Sequence, residues 1–312
     1  MEETIDIITI GESLIELSSD NTLAEAECFH KYYGGDTLVT AVAASRLGAK
    51  VGFITRVGND PFKDYLLDSW TSEGLDISQV KISNEPNGFY FISGPSVDNK
   101  EYLYYRKKVA QSKLSIDDIS QDYISMAKVV YTSGITQSVS LSSKAAVAQT
   151  FEFAKSNKIL TAYDPNYSQT IHTPEAAKEN FNDIIENTDI LFMSTKYDTG
   201  SILDLDSTDN IIKNLWDKGV NIIVLKSGEK GGYYTGYNGT ISFTEFYTHD
   251  VIDTTCSGDA FNGAFLYGIT HGYSPFEASK LSSIVAGLQA KGIGAVKSIP
   301  YAKEVFSVME NN

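Results

Sequence analysis

The chain has 312 residues, of which 42% are hydrophobic, so it is long enough to bury the core of a large α/β domain. Its 40 Asp and Glu outnumber 25 Lys and Arg, which gives a formal net charge of −15 at pH 7. This charge repels nucleic acid and anionic membrane surfaces, so we expect neither as a partner. Cys28 and Cys256 lie far apart, no signal peptide opens the sequence, and no apolar run is long enough to cross a bilayer. These features predict a cytoplasmic protein.

Strand and helix patterns alternate along the whole chain, which is typical of a doubly wound, mostly parallel sheet with helices on both faces. The predicted strands are 5–10, 51–55, 129–134, 159–164, 189–194 and 221–226. The predicted helices are 36–48, 60–74, 142–156, 174–186, 208–218, 259–271 and 275–290. The second of these is predicted to have Asp60 as its N-cap and Pro61 in its first turn. Because no Pro- or Gly-rich linker interrupts the pattern, we expect a single α/β domain over 1–312.

Two segments break the alternation. In 88–110, two aromatic-rich β runs flank the turn-prone stretch PSVDNKE, which is the pattern of a β hairpin. The polar segment 12–35 has no core-helix pattern and is predicted to supply further strands. Together they predict a small β-sheet lid inserted in the domain. An exposed aromatic hairpin needs a cover, which is either the active site below it or a second subunit, and we expect two lids to pair in a homodimer.

The stretch DTTCSGDAF, residues 253–261, places a run of small and polar residues just before an apolar helical pattern. Helix capping by Ser257 or Asp259 is the simplest explanation of a polar residue there. Capping does not account for six such residues in succession. The stretch therefore indicates a functional site at the start of the helix.

DTTCSGDAF resembles the C-terminal signature of ribokinase-like carbohydrate kinases of the PfkB type, whose common form is Asp-Thr-Thr-Gly-Ala-Gly-Asp. Residues 32–66, with a double glycine and the turn VGNDPFK, resemble their N-terminal signature. GFY, YYR and DPNY at 88–90, 104–106 and 164–167 are most similar to the 2-keto-3-deoxygluconate kinase branch. The resemblance implies a ribokinase-like fold. It also implies phosphoryl transfer from ATP to the primary hydroxyl of a small sugar or sugar acid, in the first place 2-keto-3-deoxygluconate, giving its 6-phosphate.

Phosphoryl transfer needs a group that takes the hydroxyl proton and donors that neutralise the developing negative charge. Asp259 fits the role of base. The backbone N–H groups of Cys256, Ser257 and Gly258 open the predicted helix and would form an anion hole for the transferred phosphate. Cys256 stands where the family has glycine, and its Cβ hinders a left-handed backbone.

Substrate contacts are expected from the double-glycine turn and from the lid. By resemblance, the turn contacts the sugar through Gly34, Gly35 and Asp36. Asp36 as the N-cap of the following helix is the alternative. Arg106, in the basic run YRKK, is expected to bind a sugar carboxylate through two parallel hydrogen bonds, and a solvated hairpin edge is the alternative. Tyr90 and Tyr104 are expected to offer hydroxyls and ring faces to the sugar.

Nucleotide binding is expected from LKSGEKGGYY at 225–234, which joins a strand to a second hairpin and matches neither a P-loop nor a dinucleotide fingerprint. By resemblance to the family, the expected ATP-binding residues are Lys226, Ser227, Gly228, Gly231, Gly258 and Ala286. A structural turn explains these glycines equally well. Magnesium is expected to arrive on ATP, held mainly by phosphates and water. Asp253 and Thr255 resemble a monovalent-cation site of the family, with K⁺ as its ion, and turn hydrogen bonding is the alternative.

Departures from the family pattern leave the sugar open. Ser168 stands where the keto-deoxygluconate branch has Arg, and Val39 replaces an Asn. The magnesium-positioning Asn-x-x-Glu has no clean copy, with Ser194 and Asp198 the nearest residues. The alternatives are a kinase for a fructose-like or ribose-like sugar or a nucleoside, and a sugar-binding regulator with weak catalysis. A dehydrogenase needs a dinucleotide fingerprint after the first strand, and IGESLIE lacks it.

Overall fold

A computed structural model describes residues 5–93, 100–205, 207–248 and 250–310. The strands are β1 (Ile5–Ile10), β2 (Leu14–Ser19), β3 (His30–Gly34), β4 (Val51–Ile54), β5 (Arg56–Gly58), β6 (Lys81–Ser83), β7 (Phe89–Ser93), β8 (Glu101–Tyr105), β9 (Ala127–Ser133), β10 (Leu160–Asp164), β11 (Ile190–Ser194), β12 (Ile222–Ser227), β13 (Gly232–Tyr237) and β14 (Thr240–Glu245). The helices are α1 (Asp36–Leu47), α2 (Lys63–Ser72), α3 (Gln121–Ile124), α4 (Gly134–Ser138), α5 (Leu141–Ser156), α6 (Pro174–Ile184), α7 (Thr208–Asp217), α8 (Ser257–Thr270), α9 (Pro275–Gln289) and α10 (Ala302–Glu310).

The main sheet confirms the predicted fold class. Within the described ranges it has eight strands in the order β14-β13-β12-β11-β10-β9-β1-β4. The strands from β4 to β12 pair in parallel, and β13 and β14 form an antiparallel hairpin at one edge. The carboxyl ends of the parallel strands therefore meet along one edge, which is where sheets of this kind bind ligands.

Neighbouring side chains of each strand point to opposite faces of the sheet, and helices cover both faces. Ile7 of β1 packs in a core with α1, α8 and α9, whereas Ile8 packs in a core with α5, α6 and α7. On the first face, α1 and α8 approach closely at Gly263. A Cβ there would lie 2.3 Å from the carbonyl oxygen of Thr40, so only glycine fits. This close packing brings the N-terminal ends of both helices to the same edge of the sheet.

The small sheet has the strand order β3-β2-β7-β8. Strands β7 and β8 pair antiparallel, with Tyr90 opposite Tyr104, so the predicted hairpin is present. Residues 95–99 of its predicted turn, PSVDNKE, lie outside the described residues. One face of the sheet covers the carboxyl edge of the main sheet, and the other carries a cluster of aromatic rings that includes Phe89, Phe91 and Tyr105.

Two details of the predicted elements are wrong. Helix α2 begins at Lys63, because Asp60 accepts a hydrogen bond from the Phe62 N–H in a turn that precedes the helix, so Asp60 is not its N-cap. The C-terminal helix α10, which buries Val305, was not predicted. The described helices are all too short or too polar to span a bilayer.

Candidate active site

Helix α8 begins at Ser257 without a side-chain cap. Its N-cap residue is Cys256, whose backbone lies in the left-handed region at φ 60° despite its Cβ. The polar residues here therefore do not serve as caps, and the capping explanation of Ser257 and Asp259 is wrong. The backbone turn is instead held by other bonds, among them Ser257 N–H to the Thr254 carbonyl at 3.1 Å.

Two carboxylates lie side by side at the ends of α1 and α8. The Nδ2 atom of Asn166 is 3.4 Å from Asp36 Oδ2 and 3.3 Å from Asp259 Oδ1, so one amide bridges both. Asp36 is the first residue of α1 and Gly35 is its N-cap, which corrects the alternative that Asp36 caps this helix. Only 6% of Asp36 and 8% of Asp259 is exposed, so neither charge is well solvated.

This burial changes how the two acids titrate. Burial, and then the charge of Asp36, raise the pKa of Asp259 to about 8, although Lys226 acts in the opposite direction. Burial likewise raises the pKa of Asp36 to about 6. In the free protein at neutral pH, Asp259 therefore holds a proton for much of the time, and it becomes a competent base as that proton is lost.

Lys226 brings a positive charge to the entrance of α8. Its Nζ atom is 2.5 Å from Asp164 Oδ2 and 3.5 Å from Asn262 Oδ1. A Cβ added to Gly258 would lie 3.3 Å from this ammonium, so glycine leaves room for the lysine there. Burial opposes the charge of Lys226, but Asp164 and Asp259 outweigh it and raise the lysine pKa.

The backbone donors of the predicted anion hole are only partly available. Ser257 N–H is used by the Thr254 carbonyl, as described above. The N–H groups of Cys256 and Gly258 have no acceptor among the described residues. Two of the three predicted donors therefore remain open beside Lys226.

A cavity of about 650 Å³ lies between the small sheet and the carboxyl edge of the main sheet. This volume suits a small organic molecule. The predicted site residues that line it are Gly35, Asp36, Tyr90, Tyr104, Arg106, Thr255, Cys256 and Asp259. Those outside its lining are Gly34, Lys226, Ser227, Gly228, Gly231, Asp253, Ser257, Gly258 and Ala286. The structure thus brings together the predicted base and the predicted sugar-binding side chains of the lid.

The tyrosines of the lid are arranged differently from the prediction. Tyr90 and Tyr104 stack with their ring centroids 5.5 Å apart, and both line the cavity. The Tyr90 hydroxyl donates a hydrogen bond to buried Glu16, so it is already used within the lid. A Cβ on Gly34 would lie 2.7 Å from this hydroxyl, which gives Gly34 a packing role. Burial raises the pKa of Glu16 to about 7.

Arg106 forms an ion pair with Glu12, a residue that the sequence analysis did not select. The contact joins Nη2 of the guanidinium to Oε1 of the carboxylate, and both side chains line the cavity. Arg106 Nε and Glu12 Oε2 are buried without a partner among the described residues. The pair therefore leaves one donor and one acceptor unsatisfied.

The predicted nucleotide-binding turn follows β12. Gly231 has φ 71°, a left-handed conformation that ends the short helical turn before β13. The Ser227 hydroxyl accepts a hydrogen bond from Thr195 Oγ1 at 3.2 Å, and Ala286 packs in the core with 3% exposure. These contacts show the structural turn, while ATP binding by these residues stays a prediction.

Asp198 is the nearest counterpart of the magnesium-positioning glutamate, but its carboxylate accepts hydrogen bonds from backbone N–H groups. Its Oδ1 accepts from the Tyr167 N–H at 2.9 Å and its Oδ2 from the Ser194 N–H at 2.5 Å. Burial raises its pKa to about 7. In the described part of the chain, no three His, Cys, Asp or Glu side chains are grouped to hold a metal.

Sequence reasoning missed Glu12, Asn166 and Lys100. Glu12 and Asn166 each lie two residues beyond the end of a parallel strand, a position that could have drawn attention to them. Lys100 contacts Asp253 and Thr255 across the cavity edge. No local pattern marks it, because the contact joins segments more than 150 residues apart.

The model of the pfkB family carbohydrate kinases matches residues 4–302. The chain belongs to this family. The protein is accordingly a sugar kinase. A 5-dehydro-2-deoxygluconokinase of Clostridium perfringens is 28% identical over 309 residues, which cover 96% of this chain and 91% of the relative.

Two solved pfkB-like structures share the fold over almost the whole chain. The Escherichia coli structure titled a putative ribokinase II in complex with ATP and Mg²⁺ has a TM-score of 0.91 at 20% identity, covering 99% of this chain and 100% of that one. The Thermotoga maritima 2-dehydro-3-deoxygluconokinase has a TM-score of 0.88 at 20% identity, covering 98% and 99%. At this identity, the likeness shows the ribokinase-like fold.

Proposed function

We propose that this sugar kinase transfers the γ-phosphoryl group of ATP to the primary hydroxyl of a keto-deoxy sugar acid. The observation that carries the proposal is the position of Asp259. It lies in the wall of the 650 Å³ cavity, at the entrance of α8, with the cation-bearing lid opposite. One cavity thus offers a base for the hydroxyl and a guanidinium for the acid.

The chemistry follows from these groups. Asp259, once deprotonated, takes the proton of the primary hydroxyl while the oxygen forms a bond to the γ-phosphorus. The bond from that phosphorus to the oxygen it shares with the β-phosphate breaks, and the electron pair leaves with ADP. The open N–H groups of Cys256 and Gly258, with Lys226 beside them, stabilise the negative charge of the transferred group. Mg²⁺ comes with ATP as part of the substrate and shields its phosphate oxygens.

The acid is proposed because of Arg106. Its Nε has no partner among the described residues, so it lacks an acceptor that a sugar carboxylate would supply. Because Nη2 donates to Glu12, the predicted pair of parallel hydrogen bonds to the sugar acid is not free. The unpartnered Glu12 Oε2 suits a sugar hydroxyl next to that acid. The first candidate is 2-keto-3-deoxygluconate, which the GFY, YYR and DPNY motifs favour. The second is 5-dehydro-2-deoxygluconate, because of the name of the Clostridium perfringens relative.

A coupled ADP-release assay tests the substrate. It compares kcat/KM for both sugar acids, fructose, ribose and a nucleoside at fixed ATP and Mg²⁺. We expect one of the two acids to exceed every neutral substrate by about tenfold or more, the scale of one charge-assisted hydrogen bond. A neutral sugar with the highest value would remove the acid from the proposal and leave a fructose-like or ribose-like substrate. Equal weak turnover of all would favour the sugar-binding regulator.

We also propose that two copies pair through the outer face of the small sheet. Leu103 and Tyr105 are 45% and 50% exposed next to the stacked rings of β7, a patch that water solvates poorly. Sedimentation velocity at micromolar concentration is expected to show a dimer that Leu103→Glu dissociates. Leu141→Glu is the control, since Leu141 is 87% exposed at the start of α5, away from this sheet. A wild-type monomer would contradict the pairing.

A further inference from the structure

Lys100 lies at the edge of the small sheet and reaches across to the loop before α8. Its ammonium donates hydrogen bonds to Asp253 Oδ1 and, at 2.9 Å, to Thr255 Oγ1. The lysine side chain is 15% exposed and that of Asp253 is 9% exposed, so water screens this ion pair weakly. The lysine contacts therefore fall on the two side chains that resemble the monovalent-cation site of the family.

The oxygens at this position do not fit a potassium ion. A protein binds K⁺ by replacing its water shell with several oxygens. Asp253 Oδ1 already accepts from Lys100 and from the Thr255 N–H at 2.7 Å. The Thr255 carbonyl accepts from the Gln289 side-chain amide at 2.8 Å. N–H donors therefore already occupy part of the lone pairs that the ion would need at these two residues.

Neighbouring carbonyls are used in the same way. The Ala290 carbonyl accepts from the N–H groups of Ile252 and Asp253 at 2.8 and 3.0 Å. The Gly294 carbonyl, in the C-terminal GIGAVKS stretch, accepts from the N–H and the hydroxyl of Ser298 at 3.3 and 2.8 Å. A carbonyl oxygen has two lone pairs, so both carbonyls are saturated.

The charge at this position comes from the protein itself. Burial opposes ionisation of Asp253, but the hydrogen bonds from Lys100 and Thr255 outweigh it and hold its pKa below the usual value. Asp253 is thus a carboxylate at neutral pH, and the Lys100 ammonium is its counter-charge. The charge of Lys100 also acts on a second acid, buried Glu16, where it opposes the increase in pKa that burial causes.

We propose that the Lys100 ammonium takes the place of the monovalent cation, so that the kinase turns over without K⁺. Lys100 is a positioning residue in this role. Thr255 directly precedes Cys256, whose N–H is an open donor of the anion hole, so a cation that fixes Thr255 also fixes that donor. The inference rests on the kinase activity of the family and not on the identity of the sugar.

The first test uses the wild-type protein and needs no variant. Phosphorylation of the best substrate is measured in KCl, NaCl and tetramethylammonium chloride at equal ionic strength, with KM for ATP as well as kcat. We expect values that differ by less than about twofold, because no site for K⁺ is left to fill. A fivefold or greater activation of the wild type by K⁺ over tetramethylammonium would overturn the proposal. If no substrate is found, the proposed function fails first, and ATP hydrolysis in the same three salts still reports on the cation.

The second test removes the ammonium. Lys100→Met is expected to lose about tenfold or more of kcat in all three salts, the scale of a lost charge-assisted bond, because the carbonyls that K⁺ would need keep their own donors. A merely structural lysine would give a loss that follows a lower melting temperature and that Lys100→Arg does not repair, and that result would contradict the inference. Lys107→Met is the matched control, since Lys107 is an exposed lysine of the same segment. Lys100→Arg keeps the charge and is expected to stay independent of K⁺.

Discussion

The edge of the main sheet and the small sheet handle charge in opposite ways. Along the main sheet, acids dominate, and Asp36 and Asp259 share a neutral amide in place of a direct cation. The small sheet brings bases at both ends of β8, where Lys100 pairs with Asp253 and Arg106 pairs with Glu12. Both of these acids belong to loops of the main sheet.

This difference gives the small sheet a second task besides covering the cavity. Without β8, two buried carboxylates would lose their counter-charges, which is costly in a poorly solvated site. With β8 in place, the unpaired acids are left where proton transfer is needed. The three predictions that follow test this division, which assigns catalysis to the main sheet and recognition to the small one.

The largest effect is expected from Asp259→Asn. An amide cannot take the hydroxyl proton, so kcat should fall roughly 100-fold or more, while KM for the sugar changes little. Steady-state kinetics with the best substrate measure both values. Asp209→Asn, an exposed acid on α7, serves as the control and should be unaffected. A loss of less than tenfold would assign the proton to another group.

A smaller effect is expected from Arg106→Ala. Losing a charge-assisted contact in a partly closed site costs about 1.5–3 kcal/mol, so kcat/KM for the sugar acid should fall roughly 10- to 150-fold. KM for ATP should change much less, since Arg106 is proposed to bind the sugar acid and not the nucleotide. Because the variant leaves Glu12 unpaired, its melting temperature is measured as well, which separates lost recognition from lost stability. Equal losses for the acid and a neutral sugar would mean that Arg106 does not select the carboxylate.

The smallest expected effect concerns the pH dependence of kcat/KM. As the proposed base, Asp259 must be deprotonated to act, and its pKa in the free protein is raised to about 8, so kcat/KM should rise with pH up to about 8. Asp36→Asn removes the negative charge that helps to raise this pKa. The rising limb should then move to lower pH by about one unit. The position of the limb is the readout, because Asp36 also lines the cavity and its loss lowers the maximum. A rising limb at the same pH in Asp36→Asn would mean that the charge of Asp36 does not raise the pKa of Asp259.

The fold was largely predictable because it depends on local patterns. Strands such as β1 and β10 are short apolar runs, and helices such as α5 and α9 show their periodicity and ends in the sequence. The start of α2 was misplaced, since Asp60 can bond the same nearby N–H in a turn as in a cap.

The site was predictable only in part. The anion-hole stretch is contiguous, so its residues can be read together, and Asp259 lies where the sequence put it. Contacts between side chains that are far apart in the sequence could not be predicted. Glu12 neutralises Arg106 and Lys100 reaches Asp253 only because β8 folds across the main sheet, and no spacing in the sequence shows this. The left-handed backbone of Cys256 was also unforeseen, because glycine is the usual residue for it.

Strand β8 has one further consequence, which concerns how the two substrates influence each other. Tyr104 lines the cavity and is proposed to contact the sugar, while the Tyr102 hydroxyl lies 3.2 Å from Thr255 Oγ1, next to the donors proposed for phosphate. A sugar that steadies β8 therefore also steadies the loop before α8. Such coupling is reciprocal by thermodynamic linkage, so whatever factor the sugar adds to the affinity for nucleotide, the nucleotide must add to the affinity for sugar. If the two substrates bind as proposed, we expect the small sheet to couple them, so that each dissociation constant depends on the concentration of the other substrate.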